Sequence, residues 1–208
     1  MFVNNFANSM QSENKGAVKM VKSIMIVGVG GQGTLLSSRI LGTALLMKGY
    51  DVKVSEVHGM SQRGGSVVTY VKYGDKVYSP VVGLGEADII LAFEQLEAAR
   101  WLNHLKIGGK IVTNTQKIDP MSVVIGDAEY PEGVIDSIKN AGVEIYTLDA
   151  LSKAVEAGNP KSANVVLIGA MAKTTDIEKD IWLEALKQNV PEKFLDVNLK
   201  AFELGYNS

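Results

Sequence analysis

The stretch SIMIVGVGGQG, residues 23–33, decides the fold of this chain. Its first seven residues are mostly apolar and rich in β-branched side chains, which predicts a buried strand, and a glycine loop follows. The next segment, residues 34–49, has apolar residues at helical spacing, and Gly49 suits the position just after a helix. DVKVSE, residues 51–56, predicts a second strand. This order predicts a Rossmann-like βαβ unit with parallel strand pairing and a right-handed crossover.

The remainder of the chain predicts a mixed sheet covered by helices. GSVVTYVKYGDKVYSP, residues 65–80, alternates in period two around Gly74 and Asp75, which predicts an antiparallel hairpin. Three later strands are predicted at residues 87–94, 108–115 and 143–150. Helices are predicted at residues 95–108, 131–142, 163–172, 176–188 and 191–204. We therefore expect a three-layer α/β/α domain around a largely parallel, mixed sheet.

Composition restricts the class of protein. The chain has 208 residues, a net charge of −2 and no cysteine. The absence of cysteine excludes disulfides, thiolate nucleophiles and cysteine-ligated iron–sulfur clusters within this chain. The charge gives no basic footprint for nucleic acid. We expect a polar tail at residues 1–20 ahead of one domain at residues 21–208, with no secretory signal, no bilayer-spanning run and a cytoplasmic location.

The first candidate site is the glycine loop after the first strand. Its glycines have the G-x-G-x-x-G spacing, which lets backbone N–H groups approach an anion at a helix N-terminus. Glu56 ends the second strand, where a dinucleotide-binding domain places its ribose-binding carboxylate. The same glycines would equally permit a sharp turn with close packing. The candidate residues of this loop are Gly28, Gly30, Gly31, Gln32 and Gly33.

The second candidate site is VHGMSQRGGSV, residues 57–67. This stretch should emerge at the same edge of the sheet as the glycine loop, so that the two loops form one polar surface. Arg63 offers a planar cationic fork for a phosphate or carboxylate. A solvated loop whose glycines merely turn the chain is the alternative. The candidate residues here are His58, Gly59, Gln62, Arg63, Gly64 and Gly65.

Four other polar positions have structural explanations as well. Glu94 ends a strand on the predicted ligand edge, and it could reach the site or cap the next helix. Residues 113–116, TNTQ, have the same ambiguity. Asn164 could be helix-capping or interfacial, and the cap is the simpler explanation because Ser162 and Asn164 both suit a helix N-terminus. His104 is expected to favour a helix C-terminus rather than bind a metal.

The two motifs together resemble those of a known family. GVGGQG in the first turn, with SEVHGMSQRGGSV after the second strand, is similar to the gamma-type component of 2-oxoacid:ferredoxin oxidoreductases. Within that family the chain most resembles the beta subunits of the indolepyruvate branch, from about Val21 to its last residue. The resemblance implies a complex that oxidatively decarboxylates aryl pyruvates to aryl-acetyl-CoA, carbon dioxide and reduced ferredoxin. It also implies that a large alpha-type partner subunit holds thiamine diphosphate, magnesium and the iron–sulfur clusters, with coenzyme A as co-substrate.

The residues agree with that division of labour. The chain has no cysteine and no GDG motif for thiamine diphosphate and magnesium, so we expect it to bind no cofactor or metal and to be inactive alone. Its two loops are expected near substrate, coenzyme A or the partner, and no catalytic acid or base is assignable. An NAD(P)-binding oxidoreductase and a stand-alone nucleotide-binding module remain the alternatives.

Overall fold

The computed structural model describes residues 21–56 and 65–208. Within these residues six strands form one sheet in the order β2-β3-β1-β4-β5-β6. β1, β4, β5 and β6 pair in parallel, whereas β3 is antiparallel to both of its neighbours. The sheet is therefore mixed, as predicted. The strands are β1 Lys22–Val29, β2 Asp51–Glu56, β3 Ser66–Gly74, β4 Ala87–Ala92, β5 Leu105–Asn114 and β6 Glu144–Leu148.

Two details of the predicted topology are wrong. β1 and β2 run in the same direction but do not pair, because the antiparallel β3 lies between them. The predicted hairpin at Gly74 and Asp75 does not form, since β3 ends there and residues 75–86 contain no strand. Pro80, at the end of the predicted second strand of this hairpin, has no N–H to donate to a sheet, which disfavours a strand there. The antiparallel hairpin of this fold instead joins β2 to β3 through residues 57–64, where the second candidate motif lies.

Eight α-helices surround the sheet within the described ranges, and the one predicted at residues 95–108 ends well before its predicted end. The helix expected at residues 95–108 ends at Arg100 and is followed by a 3₁₀ turn, Leu102–His104, and then by β5. Because β5 already begins at Leu105, the second half of the predicted helix is replaced by this turn and the strand. The helices are α1 Thr34–Met47, α2 Gln95–Arg100, α3 Met121–Val124, α4 Val134–Asn140, α5 Ala150–Ala157, α6 Ala163–Ala172, α7 Lys179–Asn189 and α8 Leu195–Tyr206.

The hydrophobic core has two parts, one on each face of the sheet. Successive strand residues point to opposite faces, so Ile26 faces one core and Met25 the other. The larger core packs α1 and α5–α8 against the sheet and contains Trp182 and Phe202. The smaller core lies under α2 and α4 and contains Ile138. This arrangement confirms the predicted three-layer α/β/α architecture.

The helices α6 and α8 approach each other closely through two glycines. A Cβ on Gly205 would lie 1.9 Å from the carbonyl oxygen of Val166, and one on Gly169 would lie 2.2 Å from that of Phe202. Only glycine allows backbones to meet at that distance. This contact holds α6, whose first turn carries Asn164 at the carboxyl edge of the sheet.

Candidate functional site

The glycine loop connects the carboxyl end of β1 to α1, as predicted. Gly31 and Gly33 have φ angles of 98° and 86°, a region that side chains rarely adopt. A Cβ on Gly28 would lie 2.9 Å from Oε1 of Gln32 and 3.0 Å from Cβ of Phe93. These three glycines are therefore required by backbone conformation or by close packing.

The side chain of Gln32 ties the glycine loop to the adjacent strands. Its Oε1 accepts a hydrogen bond from the backbone N–H of Val29 at 2.8 Å. Its Nε2 donates to the carbonyl oxygen of Phe93 at 3.0 Å and to Oε1 of Gln116 at 3.3 Å. Gln32 thus links the end of β1 to the ends of β4 and β5, and it holds the loop in one conformation.

A chain of carboxamides continues from Gln32 along the edge of the sheet. Nδ2 of Asn114 donates to Oε1 of Gln116 at 3.3 Å, and Oδ1 of Asn114 accepts from the backbone N–H of Ala150 at 3.1 Å. Asn114 is almost fully buried. Two residues of the TNTQ stretch therefore connect the glycine loop to the start of α5. Carboxamides do not ionise in the physiological range, so this network keeps its donors and acceptors as pH changes.

The helix-cap interpretation of Asn164 is wrong. The residue lies inside the first turn of α6, and its Nδ2 donates to the carbonyl oxygen of Gly33 at 3.3 Å. A Cβ on Gly33 would lie only 2.8 Å from that Nδ2. Asn164 is 5% exposed. Asn164 is thus part of the glycine-loop edge, by which we mean the carboxyl edge of the sheet around residues 28–33. Sequence reasoning missed this role, because the contact spans 131 residues and has no local signature.

A cavity of about 530 Å³ lies between the glycine loop, the end of β5 and the N-terminus of α6. Carboxamide side chains line one part of it and apolar side chains line another, and the ammonium group of Lys161 adds one positive charge. Such a lining can bind a polar or anionic group while an apolar portion of the same ligand packs beside it. The side chains that characterise it are Gln32, Gln116, Asn164, Phe93, Leu167 and Lys161.

The first residues of β3 also reach this edge. The backbone N–H of Gly30 donates to the carbonyl oxygen of Gly65 at 2.9 Å, so the glycine loop contacts the end of the second motif. Oγ of Ser66 donates to Oε2 of Glu97 at 2.5 Å. The other predicted residues of that motif lie outside the described residues: His58, Gly59, Gln62, Arg63 and Gly64.

Glu56 faces α1 at the end of β2. Oγ of Ser38 donates to Oε1 of Glu56 at 2.5 Å. This carboxylate is thus engaged by the first crossover helix, and a separate open groove of about 460 Å³ lies beside it. The structure places Glu56 on the same edge as the glycine loop.

Glu94 caps a helix, which is one of the two roles predicted for it from the sequence. Its Oε2 accepts from the backbone N–H of Glu97 at 2.9 Å, which caps α2. Its Oε1 accepts from the N–H of Ile118 at 3.3 Å and from the hydroxyl of Tyr130. Burial, followed by that hydrogen bond, raises the pKa of Tyr130 above its usual range. Glu94 therefore fixes the segment between β5 and α4 and serves a structural purpose.

The described residues contain neither a candidate metal cluster nor a candidate membrane span. Across residues 21–56 and 65–208, no group of three or more His, Cys, Asp or Glu side chains is arranged to hold a metal ion. Those same ranges contain no helix that is both long and apolar enough to cross a membrane. His104 lies in the turn before β5, where Nδ1 is 2.8 Å from Oδ1 of Asn103 and the ring packs against Trp101.

Comparison with known proteins places the chain in a family. The family described as pyruvate ferredoxin/flavodoxin oxidoreductase matches residues 23–208. Indolepyruvate oxidoreductase subunit IorB of Thermococcus kodakarensis is 46% identical over 190 residues, which cover 88% of this chain and 93% of that protein. The protein of the same name from Pyrococcus horikoshii is 47% identical, with the same shares covered.

Solved structures show the same architecture. The gamma subunit of the keto/oxoacid ferredoxin oxidoreductase from Geobacter sulfurreducens aligns with a TM-score of 0.67 at 26% identity, covering 89% of this chain and 96% of that one. The 2-oxoglutarate:ferredoxin oxidoreductase from Magnetococcus marinus aligns with a TM-score of 0.69 at 23% identity, covering 91% of this chain but 31% of that one. The chain therefore belongs to the pyruvate ferredoxin/flavodoxin oxidoreductase family, as a beta/gamma-type subunit of the kind found in indolepyruvate oxidoreductases.

Proposed function

We propose that this chain is the non-redox subunit of an indolepyruvate or arylpyruvate:ferredoxin oxidoreductase, and that its glycine-loop edge completes the active site of a large partner subunit. The observation that carries the substrate class is the 46% identity, over nearly the whole chain, with a subunit named for indolepyruvate. The proposed reaction is oxidative decarboxylation of the 2-oxo acid to an acyl-CoA, with ferredoxin as electron acceptor.

The geometry of the edge supports a binding role rather than a chemical one. The cavity beside the glycine loop is lined by carboxamides and apolar side chains, which orient a ligand but do not exchange protons near neutral pH. The iron–sulfur clusters are proposed to belong to the partner because this chain has no cysteine, and thiamine diphosphate and magnesium because it has no GDG motif. Coenzyme A and the 2-oxo acid are proposed to bind where the two subunits meet.

Within this proposal Arg63 is the principal anion-binding residue of the second motif, with His58 and Gln62 beside it. Coenzyme A phosphates, thiamine diphosphate and the substrate carboxylate each match a guanidinium fork. Loss of a charge-assisted pair in a desolvated site costs roughly 2–5 kcal/mol. Arg63→Lys keeps the charge but loses the planar fork, so it should also be impaired.

The test is co-expression with the large subunit, followed by cofactor analysis and steady-state kinetics. We expect a stable complex that reduces ferredoxin with indolepyruvate and coenzyme A, whereas the isolated chain shows no turnover. Arg63→Ala, Arg63→Lys and His58→Ala should raise a Michaelis constant while assembly stays intact. Arg39→Lys is the matched control, because Arg39 is exposed on α1. Tight NADH or ATP binding by the isolated chain would instead favour the dinucleotide-enzyme or nucleotide-module alternative.

A further inference from the structure

The first two residues after the 57–64 segment are held from both sides. On one side the backbone N–H of Gly30 donates to the carbonyl oxygen of Gly65 at 2.9 Å. On the other side Oγ of Ser66 donates to Oε2 of Glu97 on α2 at 2.5 Å. The start of β3 is thereby fixed between the glycine loop and a helix of the opposite layer.

Glu97 makes this contact sensitive to substitution. Its side chain is 1% exposed, and its other oxygen, Oε1, pairs with Nη1 of Arg100 at 2.5 Å. A buried carboxylate is costly unless it is paired and hydrogen-bonded, so each partner of Glu97 contributes. The Ser66 hydroxyl is the partner of Oε2. Without it, Oε2 of Glu97 loses this donor, and the hydrogen bond that ties the start of β3 to α2 is lost.

The sheet register links the loss of this hydrogen bond to the glycine loop. Ser66 is the register partner of Val29, the last residue of β1, and the glycine loop begins immediately after it. A shift of Ser66 therefore moves Gly65 and weakens its hydrogen bond from Gly30. We propose that Ser66 and Glu97 are positioning residues, which hold the exit of the second motif against the glycine loop in the geometry needed for substrate or coenzyme A binding. The kinetic part of this inference rests on the proposed function.

Amide hydrogen exchange at Gly30 tests the positioning without any need for activity. Ser66→Ala removes the hydroxyl, and Ser66→Thr keeps it on a side chain that strands favour. In the 208-residue chain we expect Gly30 to exchange about tenfold faster in Ser66→Ala, equivalent to about 1.4 kcal/mol of local stability, and at the wild-type rate in Ser66→Thr. The control is Thr175→Ala. It removes the 2.8 Å hydrogen bond from the Thr175 hydroxyl to the carbonyl oxygen of Ala172, the last residue of α6, at the end opposite Asn164.

Kinetics of the reconstituted complex test the functional consequence. We expect Ser66→Ala to raise the Michaelis constant for 2-oxo acid or coenzyme A about tenfold with kcat nearly unchanged, Ser66→Thr to restore it, and Thr175→Ala to leave it unaltered. Equal Gly30 exchange in wild type and Ser66→Ala, or wild-type Michaelis constants in a folded Ser66→Ala complex, would overturn the inference. An inactive wild-type complex would contradict the proposed function instead, while exchange at Gly30 would still decide the positioning role.

Discussion

Substitution of Gly33 by alanine should reveal how tightly the glycine loop is built into α6. Gly31 and Gly33 both have a positive φ, so alanine at either position incurs roughly 1–2 kcal/mol of backbone strain. They differ in their surroundings. Among the residues that the structure describes, a Cβ on Gly31 meets no heavy atom within 4 Å, whereas a Cβ on Gly33 lies 2.8 Å from Nδ2 and 3.2 Å from Cγ of Asn164. Gly31→Ala is therefore the matched control for Gly33→Ala.

The expected loss of unfolding free energy in Gly33→Ala follows from the contacts that Asn164 would lose. Its side chain is 5% exposed and cannot simply rotate into water. Displacing it breaks the hydrogen bond to Gly33, which is worth about 1 kcal/mol, and disturbs the packing around it. We expect Gly33→Ala to lower the free energy of unfolding by about 3 kcal/mol and Gly31→Ala by about 1–2 kcal/mol.

Equilibrium urea unfolding of Gly31→Ala, and of the four members of a double-mutant cycle between Gly33→Ala and Asn164→Ala, measures both values. Asn164→Ala should cost stability alone but relieve the collision, so Gly33→Ala should be less destabilising in the Asn164→Ala background than in the wild type. Equal destabilisation by Gly31→Ala and Gly33→Ala would refute the steric argument. Additive effects of Gly33→Ala and Asn164→Ala would refute the assigned contact.

Three further outcomes follow from the packing and the charges. Gly205→Ala should cost more than about 4 kcal/mol or prevent folding, because its Cβ would lie 1.9 Å from the carbonyl oxygen of Val166. Gly42→Ala should instead stabilise by about 0.5–1 kcal/mol in thermal or urea unfolding, because this helical position has room for a Cβ. The hydrogen bond from Lys53 holds the pKa of Asp51 below its usual value. The stability that ionised Asp51 contributes is therefore fully present above its pKa in the unfolded chain, and it is lost as pH falls through its lower pKa in the folded chain. Below about pH 4, wild-type stability should therefore fall more steeply than that of Asp51→Asn, as urea midpoints across pH would show.

The layer architecture could be predicted from the sequence because it depends on local periodicity. The apolar runs at β1 and β4 and the helical spacing of α1 each specify an element without reference to the rest of the chain. Strand pairing is different, because it depends on which segments become neighbours. The alternation in β3 identified a strand correctly but gave no information about its partners, so its insertion between β1 and β2 was missed.

The same limit applies to the candidate site. The run of glycines identified the loop, because a positive φ, as at Gly31 and Gly33, is a local requirement. The roles of Gln32 and Asn164 depend on partners 61 and 131 residues away. An amide side chain is equally suited to solvent, to a helix terminus and to a distant carbonyl. Only the folded arrangement distinguishes these possibilities, which is why Asn164 was interpreted as a cap.

The antiparallel position of β3 has an evolutionary consequence. A connection between parallel strands must cross the sheet, so its length and path are coupled to the packing of a whole helix. Residues 57–64 instead join two neighbouring antiparallel strands, β2 and β3, whose pairing is set by their own register. Such a connection can gain, lose or exchange residues at a small entropic cost without moving the sheet. Under the proposed function, a change of 2-oxo acid could therefore be accommodated by sequence changes in this one segment, with the glycine loop and both cores unchanged.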